Sequence, residues 1–213
     1  MTAPQRLYTE EEYLALDAAA PRGVRYEFAN GLVTRMTGAD PNHEQIVANA
    51  IAHLHPITRD GRCRVYPSNL RVTVQSSRAY KYPDVSGLCG CPEFLDTRPR
   101  TFLNPSFLIE VLSPSTERGD RTDKFAHYQL IPSLAEYVLV AQHYMRVERY
   151  VRSGASWVLD VFTRADEVVE LPSVGGVLRL GDVYANVDLP NEPPPTMPRL
   201  VREAEAPAWG AAV

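Results

Sequence analysis

The sequence predicts a mixed α/β fold, in which a central mixed β-sheet is flanked by helices. Two patterns predict this class. Apolar residues recur at helical spacing in some segments and at strand spacing in others, and Phe107–Leu112 is apolar at every position but one. Such a run is typical of a strand that is buried on both faces of its sheet. With 213 residues, 45% of them hydrophobic, the chain is long enough to bury one sizeable core.

Two local motifs define the predicted elements of the first half. Thr9 and Glu12 have the spacing of a capping box in front of a short helix. Asn30-Gly31 lies between two strand-like segments and is the strongest local signal for a β-hairpin. The expected elements are an N-terminal helix at about 9–19, hairpin strands at about 25–28 and 32–36, a helix from 42 until Pro56, and strands at about 63–67, 70–75 and 82–88.

The second half predicts one helix and a run of strands. After a loop at residues 91–105, we expect the buried strand at 107–112 and then a helix at about 118–130. Alternating apolar residues then predict a C-terminal β-meander. Its strands are expected at about 136–141, 144–152, 156–163 and 166–171.

The end of the chain differs in composition from the rest. Six prolines lie between residues 190 and 207, where apolar periodicity is nearly lost. We therefore expect a single domain at residues 1–189 and an extended or disordered Pro-rich tail at residues 190–213.

Composition and charge exclude several classes of protein. The 22 basic and 26 acidic side chains give a net charge of −4, so the chain does not coat nucleic acid by bulk positive charge. No apolar run reaches the roughly 20 residues of a membrane-spanning helix, and the acidic start argues against a secretory signal. Three cysteines are too few, and odd in number, for a disulfide framework. We expect a cytoplasmic protein without a membrane partner.

Lysine is rare in this chain. Of the 22 basic side chains, 20 are arginine, and only Lys81 and Lys124 are lysine. A lysine in such a chain can mark a position that needs a compact ammonium group with an adjustable pKa. The alternative is that two lysines remained by chance.

Three charged residues indicate a candidate site. Asp84 begins a predicted strand, Glu110 interrupts the apolar strand, and Lys124 lies on the helix that follows. An ionised carboxylate in a buried strand is costly unless it is paired or binds a metal. Asp120, Lys124 and Tyr128 follow one another at intervals of four and share a helix face. Two carboxylates and a lysine suit Mg²⁺ and a phosphate. The alternative is a structural Glu110–Lys124 ion pair with Asp84 as a turn residue.

A series of short motifs extends from Arg25 to Tyr184, about three quarters of the chain. They are Arg25-Tyr26-Glu27-Phe28-Ala29-Asn30-Gly31, Asn42-His43, Tyr82-Pro83-Asp84-Val85, Ile109-Glu110-Val111-Leu112-Ser113-Pro114-Ser115-Thr116, Asp120 with Lys124 and Tyr128, and Glu136-Tyr137. In these motifs the stretch resembles the Uma family of restriction-endonuclease-like proteins, a branch of the PD-(D/E)xK nuclease superfamily. The chain departs from the family pattern after Glu136-Tyr137, where it lacks the usual tryptophan and strand-ending aspartate.

The resemblance implies a restriction-endonuclease-like sheet and a metal site. Asp84 and Glu110 would bind Mg²⁺ or Mn²⁺, with the main-chain carbonyl of Val111 as a further ligand. The standard superfamily motif places its lysine two residues after the acid, but Leu112 occupies that position here. Lys124 matches the family's displaced lysine and would assist the attack of water.

Four residues have supporting roles in this interpretation: Glu27, His43, Asp120 and Tyr128. Glu27 would line the metal site, and His43 would contact phosphate or move a proton. For both, a structural hydrogen bond is the alternative. Asp120 lies in a first helical turn, where acids are also favoured by the helix dipole alone.

The resemblance implies a Mg²⁺-dependent endonuclease that hydrolyses phosphodiester bonds of nucleic acid, with DNA the favoured form. The alternative is a catalytically inactive module with the same fold that binds nucleic acid or protein. A homodimer would suit cleavage of both strands of a duplex. A basic stretch upstream of Asp84 is either a track for a nucleic-acid backbone or a solvated surface; it comprises Arg59, Arg62, Arg64, Arg71 and Arg78.

Overall fold

The computed structural model describes residues 6–36, 38, 40–95 and 101–190. Except for Pro190, the predicted tail at 190–213 lies outside these residues. In the part of the chain that is described, no helix is long and apolar enough to cross a lipid bilayer. The expected cytoplasmic location stays a prediction.

Thirteen strands within the described residues form two mixed sheets and a two-stranded ribbon. The five-stranded sheet has the order β2-β1-β5-β4-β7, the six-stranded sheet has the order β11-β10-β9-β8-β6-β3, and β12 pairs with β13. Parallel pairing joins β4 to β7 and β8 to β9. The predicted mixed α/β class is confirmed. The strands are β1 (Tyr26–Ala29), β2 (Leu32–Arg35), β3 (Cys63–Pro67), β4 (Arg71–Val74), β5 (Ala79–Lys81), β6 (Val85–Cys89), β7 (Thr101–Phe102), β8 (Phe107–Leu112), β9 (Glu136–Ala141), β10 (Val147–Ser153), β11 (Ser156–Phe162), β12 (Val168–Leu171) and β13 (Gly176–Arg179).

Each of the first two helices begins directly after a capping residue; the cap of the first was predicted, and the second begins at Pro41, one residue before the predicted start. In α1 (Glu10–Ala18), the Thr9 hydroxyl accepts a hydrogen bond from the Glu12 N–H, and the Glu12 carboxylate accepts one from the Thr9 N–H. The predicted capping box is therefore confirmed. Asp40 caps α2 (Pro41–Leu54) through the Asn42 N–H.

The third helical segment is not a regular α-helix. It consists of α3 (Glu117–Gly119), a π-helical turn (Asp120–Lys124) and α4 (Phe125–Tyr128). A helix is confirmed close to the predicted range of 118–130, but its π turn was not predicted. The last described helix is α5 (Leu180–Val183), and short 3-10 helices lie at His55–Thr58 and Gln75–Ser77.

Three features differ from the expectation. The strands β5 and β7 lie where no strand was predicted, and the predicted strand at 82–88 starts only at Val85. The meander comprises β9, β10 and β11, because β12 pairs with β13 instead of continuing it. A disulfide joins Cys63 and Cys89, which pair directly across β3 and β6. The cysteine count had favoured a chain without a disulfide framework, so the expectation is corrected for this pair.

The six-stranded sheet is covered on both faces, which explains the near-continuous apolar run in β8. Side chains alternate between faces along a strand. Phe107, Ile109 and Val111 pack in one cluster with α2, whereas Leu108 and Leu112 pack in another with α4. The sheet therefore separates two cores, and α4 covers the second.

Candidate active site

Glu110 lies on the face of β8 that the third helical segment covers. The alternation places its side chain on the same side as Leu108 and Leu112, which cluster with Tyr128 of α4. Glu110 is only 3% exposed. Its Oε1 accepts a hydrogen bond from the Tyr128 hydroxyl at 3.0 Å and lies 3.0 Å from the Lys124 ammonium nitrogen.

Asp84 is held beside Glu110 by the pairing of two strands. Val85 pairs with Ile109 across β6 and β8, and Asp84 is one residue further along. Its Oδ2 accepts a hydrogen bond from the Val111 peptide N–H at 2.7 Å. The structure thus places the Val111 N–H against the proposed metal ligand, and ligation by the Val111 carbonyl stays a prediction.

Lys124 connects the helical segment to three carboxylates. Besides Glu110, its nitrogen lies 3.1 Å from Asp120 Oδ1 and 3.6 Å from Glu27 Oε1. Its side chain is 12% exposed. The predicted proximity of Lys124 to Asp120 on one helix face agrees with these contacts, although the turn between them is π-helical.

Proton affinities in this cluster reflect burial and an excess of negative charge. Burial raises the pKa of the Glu110 carboxyl well above its usual range, although the Lys124 ammonium opposes this rise. Burial acts to lower the pKa of Lys124, but Glu110 and Glu27 more than offset it, so this pKa is also raised. The protonated form of Glu110 is thus favoured by burial, and that of Lys124 by the carboxylates around it.

Glu27 joins the five-stranded sheet to this cluster. Glu27 lies on β1, and its Oε2 is 3.2 Å from Lys81 Nζ. Its Oε1 accepts a hydrogen bond from the Tyr82 N–H at 3.2 Å. Burial acts to raise the pKa of Glu27, but Lys124 and Lys81 together lower it. Lys81 is therefore a partner of Glu27, with a side chain only 14% exposed.

His43 approaches the site from the first turn of α2. Its Nε2 lies 3.1 Å from Asp84 Oδ1. Burial acts to lower the pKa of His43, but the hydrogen bond and charge of Asp84 more than offset it, so the pKa is raised. The eight residues predicted for the site thus lie in one connected cluster, either side chain to side chain or, for Val111, through its main chain.

The donor set fits a hard divalent cation. Mg²⁺ prefers carboxylate oxygens and is commonly held by one or two of them together with water and substrate phosphate. Within the described ranges, no group of three or more His, Cys, Asp or Glu side chains is arranged to hold a metal. With two carboxylates as its protein ligands, a cation here would take its remaining ligands from water or phosphate. With His43 neutral and all four carboxylates ionised, the cluster would carry a formal charge of −2, because Lys81 and Lys124 face the carboxylates of Glu27, Asp84, Glu110 and Asp120. The raised pKa of Glu110 favours a proton on this carboxyl, which offsets part of that excess when no cation is bound.

One contact of the site was not anticipated. The hydroxyl of Tyr137, on β9, donates a hydrogen bond to the main-chain oxygen of Asp120 at 3.1 Å. The signal was present in the sequence, because a tyrosine in a wholly buried strand needs a partner for its hydroxyl. The sequence does not show which group accepts this hydrogen bond, because Asp120 lies on another element.

One residue of the predicted basic track, Arg71, is buried and does not lie at the surface. Arg71 is 2% exposed and pairs with Asp17 at 2.9 Å. A buried arginine that is paired in this way cannot follow a nucleic-acid backbone, so the prediction is wrong for Arg71. All four residues of β4 are buried, and the Arg71 guanidinium also donates hydrogen bonds to the Thr101 hydroxyl on the neighbouring strand β7.

A solved structure has the same fold as this chain. It is described as a putative nuclease belonging to DUF820 from Anabaena variabilis, and it matches with a TM-score of 0.68 over 83% of this chain and 97% of its own. The two sequences are 19% identical, so this likeness shows the fold alone.

Sequence comparisons show the family. The model of the family Uma2, described as "Putative restriction endonuclease", matches residues 10–181. The chain belongs to this family. Two proteins of Synechocystis sp. described as uncharacterized are also similar: one is 34% identical over 75% of this chain and 89% of its own length, the other 29% identical over 86% and 94%.

Proposed function

We propose that the chain is a divalent-metal-dependent endonuclease that hydrolyses phosphodiester bonds of nucleic acid, with DNA as the favoured substrate. The observation that carries the proposal is the 3.0 Å contact between Lys124 and Glu110. It brings the lysine to the acid although Leu112 occupies the usual lysine position.

The surroundings support a catalytic site over a plain structural ion pair. A structural pair needs one carboxylate for one ammonium, whereas this cluster holds two more carboxylates than ammonium groups. Buried charge of one sign is costly unless it is compensated. A bound divalent cation would compensate this excess and would displace the proton that the raised pKa of Glu110 otherwise favours.

Each residue has a role that follows from its contacts. Asp84 and Glu110 would hold Mg²⁺ or Mn²⁺, and such a cation lowers the pKa of a bound water and stabilises charge on phosphoryl oxygens. The Val111 N–H and His43 fix the Asp84 carboxylate. Tyr128 fixes that of Glu110.

Lys124 would donate a hydrogen bond to the attacking water or to a phosphoryl oxygen. Asp120 and Glu27 hold its ammonium group in place from the other sides. The water oxygen would bond to phosphorus as the 3′ oxygen leaves with a proton, giving a 5′-phosphate and a 3′-hydroxyl.

The second candidate is a catalytically inactive module that binds nucleic acid or protein. One observation favours it: Glu110 Oε1 already contacts both Lys124 and Tyr128, as in a satisfied buried pair. In that case the acids and the lysine would only stabilise the fold.

A plasmid-nicking assay with Mg²⁺ or Mn²⁺ tests the proposal. The parent and an Asp84→Asn variant would be compared with Asp123→Asn, a matched change at an exposed carboxylate in the same π turn. We expect metal-dependent nicking by the parent and Asp123→Asn, and none by Asp84→Asn. Equal cleavage by all three, or none by the parent on DNA and RNA, would refute the proposal. Light scattering on the same samples would test the proposed homodimer.

A further inference from the structure

The π turn that carries Lys124 is tied to the neighbouring sheet by a buried arginine–carboxylate pair. Arg121 lies within the turn, and its Nε and Nη2 are 3.0 and 3.1 Å from the two carboxylate oxygens of Glu148 on β10. This is a bidentate contact, which fixes orientation as well as distance. Glu148 is 2% exposed.

Further contacts hold the same turn from two more directions. Arg121 also pairs with Glu117 one turn earlier, and the Tyr144 hydroxyl donates a hydrogen bond to Glu117 at 3.2 Å. On the sheet side, Arg146 Nε lies 2.7 Å from Glu148. The carboxylate of Glu148 is thus held by two guanidinium groups, and Arg146 holds it independently of Arg121.

The geometry of a π turn makes this tie consequential for Lys124. A π turn places one extra residue in a helix. If the segment relaxed to a regular α-helix, residues on its two sides would rotate by about 100° and shift by about 1.5 Å relative to each other. Glu110 lies on β8 and Glu148 on β10. A regular helix could therefore not keep both contacts, and either Lys124 would leave Glu110 or Arg121 would leave Glu148.

We infer that Arg121 and Glu148 are a positioning pair, which keeps the turn π-helical and so holds the Lys124 ammonium against Glu110. Neither residue touches the reacting atoms in this assignment. Its consequence for cleavage rests on the proposed nuclease function, whereas its consequence for the position of Lys124 does not.

The scarcity of lysine makes the position of Lys124 measurable without an activity assay. With only Lys81 and Lys124 in the chain, ¹³C-lysine labelling gives two sets of side-chain NMR signals, and Lys81→Arg assigns them. Signals of the parent would be compared with those of Arg121→Gln and Glu148→Gln. Arg118→Gln serves as the matched control, since Arg118 is an exposed arginine in the preceding turn.

We expect Arg121→Gln to move the Lys124 signals and to lower kcat at least tenfold with KM nearly unchanged, while Arg118→Gln changes neither. Glu148→Gln keeps the shape of the side chain and should move the same signals by less, which covers the case that Arg121→Gln does not fold. In the double variant, the Lys124 signals should move part of the way back toward their positions in the parent, because the two glutamine amides can hydrogen-bond to each other. Lys124 signals identical to those of the parent in both single variants would overturn the inference, whether or not the parent cleaves nucleic acid.

Discussion

Replacing Lys124 by arginine tests whether this lysine acts in chemistry or only balances charge. The ammonium nitrogen sits within 3.0, 3.1 and 3.6 Å of three carboxylates, and the side chain is 12% exposed. A guanidinium group keeps the charge but is planar and larger, so it cannot place one nitrogen at that point. Charge balance would survive the change, and the position of the donor would not.

The expected size of the effect follows from what is lost. One misplaced electrostatic or acid–base group costs roughly 100-fold in rate, or about 2.7 kcal/mol of activation free energy. Because the buried charge is kept, the loss of folding stability should be smaller than the about 3–5 kcal/mol that removing one partner of a buried pair costs. Lys124→Met, which removes the charge, should lose both cleavage and stability.

The assay is single-turnover nicking at saturating Mg²⁺, with thermal unfolding measured on the same samples. Lys81→Arg is the matched control, since it makes the same chemical change at a lysine that contacts Glu27 at 3.2 Å; we expect it to cost less than tenfold. Full activity of Lys124→Arg would refute the catalytic role and return Lys124 to a structural ion pair.

Three further predictions concern the buried charges. Glu110→Gln should raise the melting temperature without metal and reduce the stabilisation by Mn²⁺, since it removes a carboxylate from a crowded cluster of acids. Scanning fluorimetry measures both effects, and a lowered melting temperature without metal would contradict the prediction. Arg71→Met should cost about 3–5 kcal/mol in urea unfolding, because it leaves Asp17 buried and unpaired, while activity per folded molecule stays unchanged. Burial acts to raise the pKa of Glu148, but Arg121 and Arg146 lower it below its ordinary value of 4.5. Its stabilisation is therefore present above pH 4.5 and is lost as the pH falls through the lowered pKa. The stability gap between parent and Glu148→Gln should thus narrow as the pH falls below 4.5, and a constant gap would contradict this.

Sequence patterns were sufficient for β8 and for two candidate residues of the site, Glu110 and Lys124, but not for the π turn that carries Lys124. The apolar run predicted β8 at its observed bounds, Phe107–Leu112, and the one acid within it indicated Glu110. The count of lysines indicated Lys124 independently of any family. The signal for β8 and Glu110 lies within six residues, where strand periodicity and the cost of buried charge act directly, whereas the signal for Lys124 is the composition of the whole chain.

Contacts between distant segments were the part that the sequence could not predict. The π turn is held by Arg121 and Glu148, which are 27 residues apart, and nothing near Arg121 in sequence favours it over a regular helix. The short strand β7 exists because it pairs with β4, and the disulfide exists because the register of β3 and β6 sets Cys63 opposite Cys89. Such features become visible only when the register and packing of the sheets are known.

Calorimetric titration of Mn²⁺ into the folded protein tests the central claim most directly, namely that Asp84 and Glu110 together hold a divalent cation beside Lys124. The account predicts one ion bound by the parent with millimolar or tighter affinity, unchanged binding by the exposed-site control Asp123→Asn, and binding lost in both Asp84→Asn and Glu110→Gln. Mn²⁺ binding by either of these two variants that equals that of the parent would contradict it.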